Sequence, residues 1–205
     1  MSEIAREKRM LRVQMRERLA AITSEQAEAW SRQACAALAA FEPMRSARCV
    51  LGYAAITTGS PGELDVATAL AGVLARGGQV CLPAIDWDAR TMRPAAVDSL
   101  DSLIARRYGV PEPPAGSAMV ELAEIDVILV PGLAFDSRGG RLGRGAGFYD
   151  RLLERVGDEV GIGGGQPVVI GVGFGLQLCD RVPMEPHDRR MDAIASETGV
   201  AAVIG

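Results

Sequence analysis

Residues 130–151 read VPGLAFDSRGGRLGRGAGFYDR. An apolar run, Val127-Ile128-Leu129-Val130, ends at Pro131. A polar, glycine-rich segment carrying Arg138, Arg141 and Arg144 follows, and an amphipathic stretch begins near Phe148. Strand, glycine loop, helix is the order in which a chain offers backbone N–H groups and a helix N-terminus to a phosphate. The three arginines favour an anion further. The alternative is a glycine-rich turn with solvated arginines. The loop is not a Walker A loop, because no Gly-Lys-Ser/Thr follows, and it is not a clean dinucleotide fingerprint, which belongs near the first strand of a βαβ unit.

On the N-terminal side of this block, residues 3–20 predict a helix, with Ile4, Leu11, Met15, Leu19 and Ile22 on one face. Lys8 falls inside that apolar arc and Arg12 at its edge, one turn apart. Thr23 with Gln26 predicts a capping box opening a second helix over 24–40. A strand is expected over 48–53, a loop over 56–62, and a helix over 64–75 closed by Gly77-Gly78. Residues 79–83 predict the next strand, and 86–93 a turn leading into a shorter one. Residues 108–116 hold too many prolines for extended regular structure.

Within and beyond the central block, a strand is expected over 126–130 and a helix over 148–156. Residues 157–166, with five glycines (Gly157, Gly161, Gly163, Gly164, Gly165), predict a flexible connection. Strands are expected over 168–174, 191–196 and 200–204. Apolar strands alternating with helices predict an α/β fold, a mostly parallel sheet with helices on both faces. There is no internal repeat, and 205 residues suit one domain spanning 1–205.

A net charge of −4 argues against general nucleic-acid binding. Local basic clusters can still hold a small anion. The four cysteines, Cys35, Cys49, Cys81 and Cys179, form no CxxC pair, and His187 is the one histidine, so a zinc site is not expected. Cys49 and Cys81 sit in apolar runs and read as small core residues. The charged N-terminus does not resemble a signal peptide, and no apolar run is long enough to span a bilayer. The expectation is a cytoplasmic protein with reduced thiols, a monomer, with neither nucleic-acid nor membrane partners.

The stretch Arg141-Leu-Gly-Arg-Gly-Ala-Gly-Phe-Tyr-Asp-Arg151 resembles the signature of the 5-formyltetrahydrofolate cyclo-ligases, or methenyltetrahydrofolate synthetases, commonly RLGxGxGYYDR. Weaker blocks are similar in the same order: Lys8, Leu11 and Arg12; Gly62-Glu63-Leu64-Asp65; Tyr108-Gly-Val-Pro-Glu-Pro113; and Pro186-His187-Asp188 followed by Met191-Asp192. The resemblance implies a three-layer α/β/α architecture similar to the sugar-phosphate isomerase/CoA-transferase-like fold. It also implies ATP-dependent conversion of 5-formyltetrahydrofolate to 5,10-methenyltetrahydrofolate with Mg²⁺. Such chemistry needs charge neutralisation and in-line positioning more than a protein nucleophile.

Residue by residue, the resemblance implies that Lys8 and Arg12 contact ATP phosphates; a lysine on an apolar face calls for a charged partner, and the bland alternative, stronger without the resemblance, is a solvated or snorkelling lysine on an edge of the core. Arg144 pairs with phosphate oxygens while Gly143, Gly145 and Gly147 let the backbone approach, and Arg141 is a second candidate or a structural ion pair. Asp150 and Asp188 hold Mg²⁺; the bland readings are a first-turn helix acid for Asp150 and a loop carboxylate paired with Arg189 or Arg190 for Asp188. Glu63 hydrogen-bonds the pterin, or is an acid at a helix N-terminus. Tyr53, Tyr108, Phe148 and Tyr149 supply aromatic walls, core packing being the stronger alternative for Tyr53 and Phe148. Arg144 and Tyr149 are the catalytic candidates.

Phe148, Val66 and Ala146 depart from the family pattern, which often has tyrosine, threonine, and glycine or lysine there. Two other readings compete: a phosphate-binding sugar isomerase of related fold, independent of ATP, and a folate- or nucleotide-binding regulator without turnover.

Overall fold

The computed structural model describes residues 2–56, 62–159, 165–186 and 188–203, with the side chains of Tyr108 and Glu159 left aside. Most of the loop expected over 56–62, much of the glycine-rich connection before 166, His187 and Ile204 therefore lie outside the described residues.

The helices are α1 (Glu3–Ala20), α2 (Ser24–Ala40), α3 (Glu42–Ser46), α4 (Ala67–Ala75) and α5 (Phe148–Glu159). The strands are β1 (Cys49–Leu51), β2 (Gln79–Asp86), β3 (Thr91–Val97), β4 (Ile104–Ala105), β5 (Pro111–Glu112), β6 (Val127–Pro131), β7 (Ala134–Phe135), β8 (Arg141–Leu142), β9 (Val168–Val172), β10 (Ala193–Ser196) and β11 (Gly199–Ala202). Seven of them form one sheet in the order β11-β10-β9-β6-β1-β2-β3, while β4-β5 and β7-β8 form separate two-stranded ladders. The five inner strands run parallel, and β3 and β11 are antiparallel edges.

Alternate residues of the inner strands feed two cores. Val50, Val80, Leu82, Val127, Leu129, Ile170 and Val172 face a core shared with α1, α2 and α4. Cys49, Leu51, Cys81, Ile128, Val130 and Val169 face one shared with Leu152, Leu153 and Val156 of α5. Burial on both faces explains why these strands read as continuous apolar runs, and gives the three-layer α/β/α architecture. Cys49 and Cys81 are free, buried thiols with Sγ atoms 3.9 Å apart.

Local chemistry sets the element ends. The Thr23 hydroxyl accepts from the Gln26 amide while the Gln26 side chain accepts from the Thr23 amide, which is the capping box read in the sequence. Gly78 donates to Val73 and Gly77, at φ +80°, donates to Leu74, closing α4 with a Schellman motif. Helix α4 starts at Ala67 rather than at residue 64, because the Asp65 carboxylate accepts from the Ala67 amide and leaves Leu64 and Asp65 outside. The β2 strand runs on to Asp86, where Asp86 Oδ1 accepts from Asp88 and Ala89 and turns the chain into β3.

The sequence-level picture of one continuous glycine loop between β6 and α5 needs correction. Residues 134–142 fold into the β7-β8 ladder. Its turn is organised by buried Asp136, which accepts from Arg138 and Gly140 through Oδ1 and from Val182 through Oδ2. Arg138 is exposed on that turn, and only the second half of the glycine stretch leads into α5.

Candidate active site

The parallel strands reverse their order of addition between β1 and β6, since the chain adds β2 on one side and β6, β9 and β10 on the other. In open α/β sheets, that switch point beyond the carboxyl ends of the strands is where ligands bind. A cavity of about 290 Å³ opens there. Residues just past β1 (Tyr53, Ala54, Ile56 and Glu63), the C-terminal part of β2 (Pro83, Ile85) and the end of β6 (Pro131, Gly132) line one part of it. Residues 143–147 and the first turn of α5 line another part, so the positive end of a 12-residue helix starts at the cavity.

Two charged pairs stand at the wall. Arg144 Nε donates to Glu63 Oε1 at 2.9 Å, and Glu63 Oε2 accepts from the Ile56 amide at 3.1 Å. Glu63 therefore sits in the stretch before α4, not on that helix's N-terminus. Arg141, 8% exposed, donates to Asp150 and to the Pro131 carbonyl. The aromatic walls are Tyr149, Phe148 and Trp87, with Trp87 edge-on to Phe148 at 5.4 Å. Burial, with help from the Glu63 charge, pushes the Tyr149 phenol far up and keeps it protonated. Tyr53 is also held up by burial, and its hydroxyl donates to the Leu64 carbonyl at 2.7 Å, fixing the chain between β1 and α4.

Beside the cavity, α1 lays its basic residues against two distant loops. Arg12 Nε donates to the Gly143 carbonyl at 3.0 Å. Gly145 has φ +108°, a backbone conformation that favours glycine, and it lies beside the Arg12 guanidinium. Burial and the Arg16 charge lower the Arg12 pKa, while Asp150 and Asp188 both oppose this, so both carboxylates lie within electrostatic reach of one guanidinium. Lys8, 9% exposed, donates to Glu185 at 2.8 Å and Asp188 at 2.6 Å. Burial works against its charge, but these two hydrogen bonds and the carboxylate charges outweigh it and raise its pKa above 10.5.

Of the sequence candidates, Tyr53, Glu63, Arg141, Gly143, Arg144, Gly145, Gly147, Tyr149 and Asp150 line the cavity together, and Lys8, Arg12 and Asp188 form the adjoining cluster. The Tyr108 side chain lies outside the described residues, though Val110 and Pro111 nearby line the cavity. Asp188 turns out to pair with Lys8. Among the described residues no three metal-ligating side chains cluster. Asp150 is half exposed at the cavity, which suits a cation held mainly by substrate phosphates and water. Sequence reasoning missed Trp87, isolated in an Asp-Trp-Asp turn, and Glu185, three residues before Asp188.

The sequence profile of the 5-formyltetrahydrofolate cyclo-ligase family matches residues 4–197. A 5-formyltetrahydrofolate cyclo-ligase of Mycolicibacterium smegmatis is 35% identical over 77% of this chain and 78% of its own length. The Escherichia coli K12 protein of that name is 29% identical over 91% of this chain and 98% of its own. The solved structure of Aquifex aeolicus 5,10-methenyltetrahydrofolate synthetase is similar at a TM-score of 0.76 and 26% identity, covering 97% of this chain and 93% of that one. Profile, relatives and structure agree over nearly the whole chain, and the chain belongs to the 5-formyltetrahydrofolate cyclo-ligase family of enzymes.

Proposed function

We propose that this chain uses ATP to convert 5-formyltetrahydrofolate to 5,10-methenyltetrahydrofolate, releasing ADP and phosphate. The observation that carries the reading is the placement of the Glu63–Arg144 pair in an aromatic-walled cavity, with Arg12 against the glycine loop and Lys8 one turn away on the same helix. A flat heterocycle with adjacent N–H donors suits the aromatic walls and the Glu63 carboxylate. A polyphosphate suits the cations, the loop amides and the helix start.

The formyl oxygen attacks the γ-phosphorus of ATP and ADP leaves. N10 then attacks the activated carbon and gives up its proton, and phosphate departs with the former formyl oxygen, leaving the N5–C–N10 bridge. The residues position and neutralise. Arg144 comes to share its contact with Glu63 and the transferred phosphoryl group, which frees Glu63 oxygen capacity for the pterin. Lys8 and Arg12 take the remaining phosphate charge. Tyr149, held protonated, donates a hydrogen bond at the reacting end, and Arg141 orients Asp150. Asp150 and Asp188 are the residues that would hold Mg²⁺ on the phosphate side, where the ion supplies charge neutralisation.

Isotope labelling tests this chemistry. With ¹⁸O in the formyl group, the label is expected in the released phosphate. Label recovered in water, or product formed without phosphate release, would contradict phosphoryl activation.

A further inference from the structure

Arg151 is the fourth residue of α5, a place where a cation opposes the helix macrodipole, so helix stability does not account for it. Its guanidinium approaches the glycine loop from the solvent side and holds two main-chain carbonyls from distant parts of the chain. Nη2 donates to the Ala146 carbonyl at 3.0 Å and Nε to the Arg90 carbonyl at 2.7 Å, while the guanidinium carbon lies 5.9 Å from the Phe148 ring centre. Arg90 sits in the turn between β2 and β3 at φ +54°, the one non-glycine residue in the left-handed region among the described residues. Strained backbone of that kind persists where surrounding contacts fix it, and it clusters at functional sites. Ala146, Gly147 and Phe148 line the cavity. Arg151 thus ties the hairpin turn to the cavity wall across the start of α5.

We propose that Arg151 is a positioning residue for phosphoryl transfer: by holding the Ala146 carbonyl on the outer side of the loop, it turns the Gly147 N–H into the cavity, toward the transferred phosphoryl group. The proposal rests on the folate reading above. A trans peptide is planar and sets its C=O and N–H on opposite sides, so an outward Ala146 carbonyl gives an inward Gly147 amide. Gly147 also precedes α5, its carbonyl accepting from the Arg151 amide at 3.2 Å, and amides at a helix start have no partner within the helix. A planar guanidinium with donors in a fixed fork can hold two acceptors at once. Arg90, on a turn braced by the Asp86 carboxylate, gives that fork its second anchor. A donor held ready at developing charge is worth more than one that must reorient during the reaction.

The test measures the single-turnover rate with 5-formyltetrahydrofolate and ATP, and the Kd of ADP with Mg²⁺, in Arg151→Met and Arg151→Lys. Methionine keeps the stem and removes every donor. The rate is expected to fall roughly tenfold to hundredfold, with ADP affinity within about twofold of wild type. ADP has no γ-phosphoryl group, so a loop that had lost its structure would bind it less well, and a misaimed amide would not change it. Lysine can still reach the Ala146 carbonyl and should recover part of the loss. A wild-type rate in Arg151→Met overturns the proposal, and so does an ADP affinity that falls as far as the rate. If Arg151→Met does not fold, Arg151→Lys carries the test: a rate lowered by roughly threefold or more at unchanged ADP affinity is expected, because one ammonium does not replace the fork, and a wild-type rate overturns it. Turnover by wild type and both variants alike would leave the folate reading standing, whereas no turnover by wild type would remove both.

Discussion

At the scale of single residues, the site pairs charges with one another: Lys8 with Glu185 and Asp188, Arg141 with Asp150, and Arg144 with Glu63. Glu63→Gln keeps the shape and removes the charge facing Arg144. It is expected to raise KM for 5-formyltetrahydrofolate by tenfold or more, about 1.4 kcal/mol or above, with little effect on KM for ATP; steady-state kinetics read both, and an unchanged folate KM would remove Glu63 from recognition. Lys8→Met leaves two carboxylates facing each other and should cost about 1–3 kcal/mol in denaturant unfolding. The sign with pH follows from the raised lysine pKa. The stabilisation is fully present below 10.5 and lost as pH rises through the higher folded value. The stability gap between wild type and Lys8→Met is therefore expected to be flat from neutral pH upward and to close in strong alkali. Lys8 was legible in the sequence as a cation on an apolar face that needed a partner. Its partners lie some 180 positions away, and no local pattern names them.

At the scale of elements, the chain is held by ends and turns whose chemistry is local. Helices α1 and α2 and the Schellman closure of α4 were readable because caps and apolar periodicity act within a few residues. The β7-β8 ladder was hidden inside the glycine signature. Its turn depends on Asp136, whose carboxylate also bonds Val182, and on Gly139, whose carbonyl accepts from Met191. These are long-range contacts that a composition of Gly, Arg and Ser does not announce. Gly139 has φ +81°, and a Cβ there would lie 2.5 Å from the Met191 carbonyl oxygen. Gly139→Ala is therefore expected to destabilise by about 2–4 kcal/mol, from backbone strain plus a clash with rigid main chain. A variant as stable as wild type in chemical denaturation would contradict this geometry.

At the scale of the whole molecule, the doubly wound order of the sheet creates the cavity, and α1 closes its flank by reaching loops more than a hundred residues away. The alternation of strands and helices carried the fold class, because burial on both sheet faces leaves a continuous apolar imprint. The joining of α1 to the Gly143 and Glu185 loops was readable only through family resemblance, since it is a matter of tertiary placement. Because Arg12 and Lys8 belong to that closure, nucleotide binding should stabilise the entire chain. A nonhydrolysable ATP analogue at a hundred times its Kd is expected to add about 2.7 kcal/mol. Arg12→Ala, tested at the same analogue concentration, should show a smaller gain in thermal unfolding. The most direct test of the central claim follows 5,10-methenyltetrahydrofolate by absorbance, from 5-formyltetrahydrofolate with ATP and Mg²⁺ together, with each alone, and with neither. Product that forms only when both are present is the expected result. Product without ATP, or no product despite binding of both substrates, would contradict the account.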